Sequence, residues 1–482
     1  MKLLTVIHKP ESVIGKNGDS SIIPRLSFFV LLIAFSSLLP SPLFSQWLET
    51  TIYVPDSLSG IICPRAFTYN ATNNKIYVGG EEGDCVIVID GATNQKIAKI
   101  PVGSYTSALC WNATNNKVYC ANRYSNTVTV IDGVDNSVIT TIPVGESPYA
   151  LVWNSFNNKV YCANLYGHSV TVIDGANDSV ITTIPVGYGS CALVWNSTNN
   201  KVYCANNYSN SVTVIDGSID SVITTIGVYY DPCALVWNSL NNKVYCGNRG
   251  SGDVIVIDGV NNSVITRIRA GNGLSTLVWN SLNNKVYSAN NYSDNVTVID
   301  GANNSVITTI PVGDYPCALV WNSFNNKVYC ANLYGHSVTV IDGANDSVIT
   351  TIRVGKSPRA FCWNSIQNRV YVANYASSSI SVIRDVTGIE EDRTTPLKQV
   401  QGDRLPFEIY PNPAKSVLAI RLPLSADCQA IKIFDVSGKL IKAIATPLAH
   451  NGNELKISLK GIKPGIYFLR FGTETKKFLV VN

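Results

Sequence analysis

The sequence predicts an all-β protein in which eight copies of one four-stranded unit close into a ring, followed by a small separate β-domain. Three observations carry this. Trp111, Trp153, Trp195, Trp237, Trp279, Trp321 and Trp363 recur every 42 residues without a slip, and Tyr69 holds the same column one period earlier. Tyr77, Tyr119, Tyr161, Tyr203, Tyr245, Tyr287, Tyr329 and Tyr371 repeat at the same spacing. Within each copy, short runs rich in Val, Ile, Thr and Tyr alternate with Asn, Asp, Gly and Ser, which is the chemistry of strands and tight turns; no helical period appears.

In the copy at 191–229 the four runs are Ala192 to Trp195, Lys201 to Ala205, Ser211 to Ile215 and Val222 to Ile226. Four antiparallel strands in a repeat of this length match the blade of a β-propeller, whose two faces must both be covered by neighbours. The chain also indicates how the ring closes. A fourth-strand run, Thr50 to Val54, precedes the first copy, and the last copy stops after its third strand at Ile383. Pairing of these two segments completes blade eight and removes two exposed edges. Residues 150–184 and 318–352 are identical over 35 positions, four periods apart. That points to duplication of a four-blade block and favours eight blades, with a seven-bladed ring and one displaced repeat as the alternative.

The flanks differ in kind. Lys2, Lys9, Lys16 and Arg25 precede an apolar run from Phe28 to Leu39, then Pro40, Pro42 and small residues up to Ser45 and Gln46. This is the layout of a secretory signal peptide, expected over 1–46. A dozen or so apolar residues fall short of the roughly 20 that span a hydrocarbon core. The propeller is assigned to 47–384 and a charged linker to 385–404. Strand-like alternation resumes over 405–482. The composition is that of a folded chain, 46% hydrophobic and 15% charged, and a formal charge of +4 with no dense basic run argues against nucleic acid as a partner.

The segments Lys-Val-Tyr-Cys-Ala-Asn, Val-Thr-Val-Ile-Asp-Gly and Val-Ile-Thr-Thr-Ile-Pro-Val-Gly resemble the YVTN-type propeller repeats of microbial surface-layer and secreted proteins. In the last module, Tyr410-Pro411-Asn412-Pro413 comes first. Asp435-Val436-Ser437-Gly438-Lys439 then stands in the middle, Pro464-Gly465-Ile466-Tyr467-Phe468 near the end, and a Lys-containing apolar tail closes the chain. This order resembles the C-terminal sorting domain of the Bacteroidetes type IX secretion system. The resemblance implies an Ig-like sandwich, a partner in the type IX machinery, and a secreted or outer-membrane surface location reached via the periplasm. It leaves function open, because propellers host many unrelated activities.

Candidate chemistry is sparse. Cys120, Cys162, Cys204, Cys246 and Cys330 share a column that elsewhere holds Val78, Ser288 and Val372, as a small buried interblade position would. Cys191, Cys233 and Cys317 share a second column, and an intrablade disulfide such as Cys191–Cys204 stays open beside simple packing. There is no Cys-x-x-Cys, and His168 and His336 sit in identical turns on opposite sides of the ring, so no metal site is expected. The Asp-Gly turns, for example Asp174 with Asn177 and Asp178, are explained without calcium. Quinone-dependent dehydrogenases are also eight-bladed and Trp-rich, but this chain lacks adjacent cysteines and a clustered acidic site. No cofactor and no catalytic residue are expected.

Copies of a repeat show which positions the fold holds constant. The first-to-second turn, Asn-Ser/Ala-x-Asn-Asn, is nearly invariant and is attributed to turn geometry, whereas the opposite rim varies. The ligand-binding candidates there are Tyr105, Tyr149, Tyr188, Tyr230, Asp231, Tyr315, Arg65 and Arg359, and tyrosine supplies rigid contact area with a polar end. The expected function is recognition of, or scaffolding for, an extracellular protein or glycan. The alternative is a lyase or cofactor-dependent dehydrogenase acting at the central channel.

Overall fold

The computed structural model describes residues 46–54 and 62–386, and at the C-terminal end 408–410, 417–421, 431–435, 440–444, 454–471 and 474–480. The signal-peptide and linker expectations fall mostly outside these residues.

Eight four-stranded antiparallel sheets make up the first unit. Blade one comprises Ile62–Asn70, Lys75–Glu82, Cys85–Asp90 and Lys96–Pro101, and blade two comprises Thr106–Asn112, Lys117–Asn122, Thr127–Asp132 and Val138–Pro143. Blades three to seven repeat this order. In blade eight, Pro358–Asn364, Arg369–Asn374 and Ser379–Asp385 are completed by the N-terminal strand Gln46–Tyr53, with Thr50 opposite Val382 and Ile52 opposite Ile380. The expected closure and the count of eight both hold. One boundary moves. Asp385, assigned above to the linker, is a buried strand residue paired with Gln46, so blade eight takes in one residue more at each end.

The pattern of burial follows from stacking. Second and third strands are covered on both sides, so Lys117–Asn122 is buried from Val118 onward, while the fourth strand Val138–Pro143 forms the exposed circumference. The core is therefore a set of interblade layers: Tyr119, Val128, Val130 and Ile142 of blade two meet Val160, Cys162 and Ile173 of blade three. The shared cysteine column belongs to these layers. Every described cysteine is a free thiol, Cys191 and Cys204 included. Burial pushes the Cys120 thiol up to about 12, leaving it an inert small hydrophobe.

First strands of consecutive blades touch all the way round, and blade one touches blade eight, so these strands line the channel. A closed hydrogen-bond belt runs beneath them. The last residue of each first strand is a buried Asn, such as Asn70 or Asn112, that donates to the turn Asn of the next blade at 2.6 to 2.9 Å. The same acceptor takes the indole N–H of its own blade's Trp, as Asn116 does from Trp111 at 3.2 Å. These turn asparagines occupy left-handed backbone, φ 49° to 56°, which Asn tolerates better than most residues. The recurring Trp and Asn columns are thus one device. A second link joins the third-to-fourth turns to the preceding blade: Asp178 accepts from Lys117 Nζ and from Tyr119 OH, each at 2.7 Å. That carboxylate, considered above for calcium, is taken by the protein itself.

The second unit begins near residue 391. It has a three-stranded sheet (Glu408–Tyr410, Val417–Arg421, Glu454–Ser458) and a four-stranded one (Leu440–Ile444, Ile431–Asp435, Gly465–Phe471, Glu474–Val480), all antiparallel. Ile433, Ile457 and Leu469 are buried.

Candidate recognition surface

The rim opposite the asparagine belt is built where the fourth-to-first connection meets the second-to-third turn of the same blade. In blades two to eight the first residue after the second strand's closing Asn donates its N–H to the connection: Arg123 to Tyr105 O at 2.8 Å, Arg249 to Asp231 O at 2.8 Å, Leu333 to Tyr315 O at 2.9 Å. The accepting residue is left-handed in every copy, at Cys63, Tyr105, Ser147, Gly189, Asp231, Gly273, Tyr315 and Ser357, with φ from 56° to 78°. Glycine adopts this backbone freely; a bulky side chain is costly there, on the order of 1 kcal/mol or more. His168 and His336 serve the same corner. Their Nδ1 atoms accept the Gly189 and Ser357 N–H at 3.2 and 3.1 Å, as Asn126 Oδ1 accepts from Ser147 in blade two.

Two residues further on, each first strand has a β-bulge, between Thr106 and Ala108 in blade two and at the equivalent step in every other blade. The extra residue is Arg65, Ser107, Tyr149, Cys191, Cys233, Ser275, Cys317 or Arg359. A bulge re-aims the side chain it carries. Where that residue is small it bonds across to the next blade, as Ser107 Oγ donates to Pro148 O at 2.7 Å and Cys191 Sγ to Pro232 O at 3.2 Å.

Large bulge residues enter clusters. Glu81 accepts from Arg65 at 2.8 Å, Tyr105 OH at 2.7 Å and Tyr375 OH at 2.6 Å, joining blades one, two and eight. Arg65 also donates to Tyr105 OH. Burial raises the Glu81 pKa, but the hydrogen bonds from Tyr375 and Tyr105 and the charge of Arg65 outweigh it and hold the carboxyl below its ordinary value. Arg359 lies 5.0 Å from the Tyr375 ring centroid. Arg123 is caged by Tyr105, Tyr124, Tyr149 and Tyr166, at 5.3 to 5.9 Å from their centroids.

Of the residues expected from sequence, Arg65 and Tyr105 come together at Glu81, and Tyr105 is buried there rather than presented to solvent. Tyr149 and Asp231 flank Arg249 electrostatically, as does Tyr315, which also packs on Tyr334 at 4.7 Å. Tyr188 stands edge-on to His168 at 4.6 Å, and Tyr230 lies over Gly250; both are well exposed. Arg359 lies on the Tyr375 ring, and its charge also acts on Glu81. Sequence reasoning missed Glu81, Arg123, Arg249 and Tyr375. They belong to one column, Glu81, Arg123, Leu165, Asn207, Arg249, Asn291, Leu333 and Tyr375, in which no two neighbouring blades share a residue. That variability was the available signal. Among the described residues no group of His, Cys, Asp or Glu is arranged to hold a metal.

The opposite face is not wholly accounted for by turn geometry. The variable residue of its first-to-second turns is a well-exposed Phe156, Leu240, Leu282 or Ile366 in four blades.

The class this architecture defines is an eight-bladed β-propeller joined to a separate β-domain. The chain belongs to the YNCE-like β-propeller family, which matches residues 151–399, and residues 408–482 match the secretion system C-terminal sorting domain. It is therefore a type IX secretion substrate, destined for the cell surface or the outside. No helix among the described residues is long and apolar enough to cross a membrane. Similar solved structures include hydrazine synthase from Kuenenia stuttgartiensis, at 17% identity over 67% of this chain and 96% of that one, TM-score 0.50. Saccharomyces cerevisiae Sqt1 is similar at 11% identity over 71% of this chain and 98% of that one, TM-score 0.59. At these identities the likeness shows the fold alone. The curated proteins contain no match.

Proposed function

We propose that this protein is an exported recognition module that binds a protein or glycan across the tyrosine-bearing mouth of the channel. The observation that carries the reading is Tyr105 and Tyr315 in left-handed backbone, at a corner that Gly189 and Gly273 turn without strain. Strain of this kind gathers where a side chain is needed in place. Tyr105 braces the Arg65–Glu81 cluster, and Tyr315 extends a patch with Tyr292 and Tyr334.

The alternative, a channel enzyme, calls for a group tuned to take or give a proton near neutral pH. Glu81 is committed to three donors and stays ionised, and burial pushes the Cys191, Cys233 and Cys317 thiols up to about 12. Among the described residues nothing at the mouth favours that reading.

The test is a glycan and surface-protein binding screen on the exported protein, repeated with Tyr149→Ala, Tyr188→Ala, Tyr230→Ala and Tyr315→Ala. Phe156→Ala and Leu240→Ala on the other face serve as controls. Loss of an aromatic anchor weakens binding by about 2 kcal/mol, roughly thirtyfold. Affinity unchanged by all four tyrosine substitutions would remove the reading, and turnover of a screened compound would replace it with the enzyme.

A further inference from the structure

Among the described residues Arg123, Arg249 and Arg359 at the mouth enter no ion pair, whereas Arg65 is spent on Glu81 and Arg267 on Asp253. Arg123 uses its Nε on Ser147 Oγ at 3.0 Å and is otherwise held only by tyrosine rings. Arg249, from blade five, is solvent-exposed, with Asp231 and Cys233 beside it and Tyr149 and Tyr315 acting on it from blades three and seven. Tyr149 is a bulge residue, re-aimed by the extra residue in its strand, and its ring lies 5.4 Å from the Arg123 guanidinium. Arg123, Tyr149, Arg249 and Tyr315, from blades two, three, five and seven, thus alternate cation and flat aromatic in order round the mouth.

Such an alternation suits a ligand with carboxylates at intervals and flat C–H faces between them. A guanidinium receives a carboxylate through two parallel N–H donors, and an exposed tyrosine ring offers an apolar face with a hydroxyl at its edge. Resting on the recognition reading above, we propose that the mouth binds an acidic saccharide of the uronate type. One sugar carboxylate lies on Arg249 and another on Arg123, with ring faces against Tyr149 and Tyr315. An acidic peptide fits less well. Acidic side chains bring carboxylates to the same arginines but carry no flat C–H face to lie against Tyr149 and Tyr315.

The experiment is calorimetric titration of the exported protein with oligogalacturonate, with a neutral galactose oligomer of equal length, and with a polyglutamate peptide, each at several salt concentrations. Oligogalacturonate should bind at least about tenfold more tightly than the neutral oligomer and weaken as salt rises. Arg123→Gln and Arg249→Gln should each cost about tenfold for the uronate and nothing for the neutral sugar. Arg249→Lys, which keeps charge but not the fork, should fall between, and the thermal midpoint should not move. Equal affinity for acidic and neutral sugars, wild-type affinity in the glutamine variants, or preference for polyglutamate overturns the proposal. If the tyrosine substitutions abolish binding of a neutral glycan while the arginine substitutions do nothing, this inference falls and the recognition reading stands. If neither set affects any binder, both fall.

Discussion

Glu81 shows how a single side chain can tie three blades. Its folded pKa is depressed, so its contribution to stability is present at neutral pH. The contribution begins to fade once the pH drops below the ordinary glutamate value of about 4.3, and it is lost fully only below the depressed folded value. Glu81→Gln should therefore lower the denaturation midpoint at neutral pH and flatten the acid limb of a midpoint-against-pH curve; a variant whose acid limb parallels wild type would contradict the assignment. Residues of this sort were half legible. Arg65 and Tyr105 stand out because they replace Ser, Cys or Gly in their columns, but Glu81 follows Gly80, which stands where the other copies have Asn, and in sequence it looks like an ordinary exposed turn residue. Its role depends on Tyr375, 294 positions away, and no local pattern encodes that contact.

At the level of the strand, the periodic columns were readable because each answers to one local demand: Val and Ile for burial between blades, Asn for left-handed turns, Trp for the indole bond to that Asn. The bulges were not. A bulge is a property of two strands in register, two residues opposite one, and neither strand alone announces it. That is why Arg65, Tyr149 and Arg359 could be placed on the variable rim but not aimed. The asparagine belt offers a direct measurement. Asn112→Ala deletes the donation to Asn158 at 2.7 Å and leaves the Thr114 N–H, now bonded to Asn112 Oδ1 at 2.9 Å, without its acceptor. A loss of about 1–3 kcal/mol in urea unfolding is expected, with unchanged β-structure by circular dichroism. A loss under about 0.5 kcal/mol would mean that water replaces the belt.

For the ring as a whole, the eight copies and the duplicated four-blade block pointed to eight blades over seven, and the run Thr50 to Val54 with the last copy's end at Ile383 showed how the ring closes. Deleting Gln46–Tyr53 should leave seven blades able to fold and the edge of Ser379–Asp385 bare. The expected outcome is a concentration-dependent shift to dimers and larger species on size-exclusion chromatography; a monodisperse monomer would show that closure is dispensable.

The closing strand also gives the molecule a clock. The residues made first are the ones that must wait, because their partner strand is among the last of the ring to be synthesised, more than 320 residues later. Until that encounter the two ends remain sticky, and the search across so long a loop is slow compared with formation of each local hairpin. Meanwhile the 35 residues at 150–184 have a perfect double at 318–352, so a neighbour's blade is as good a mate as the chain's own. The moment of greatest danger for this protein is thus the interval before its circle shuts, when two unfinished rings can trade strands and lock together.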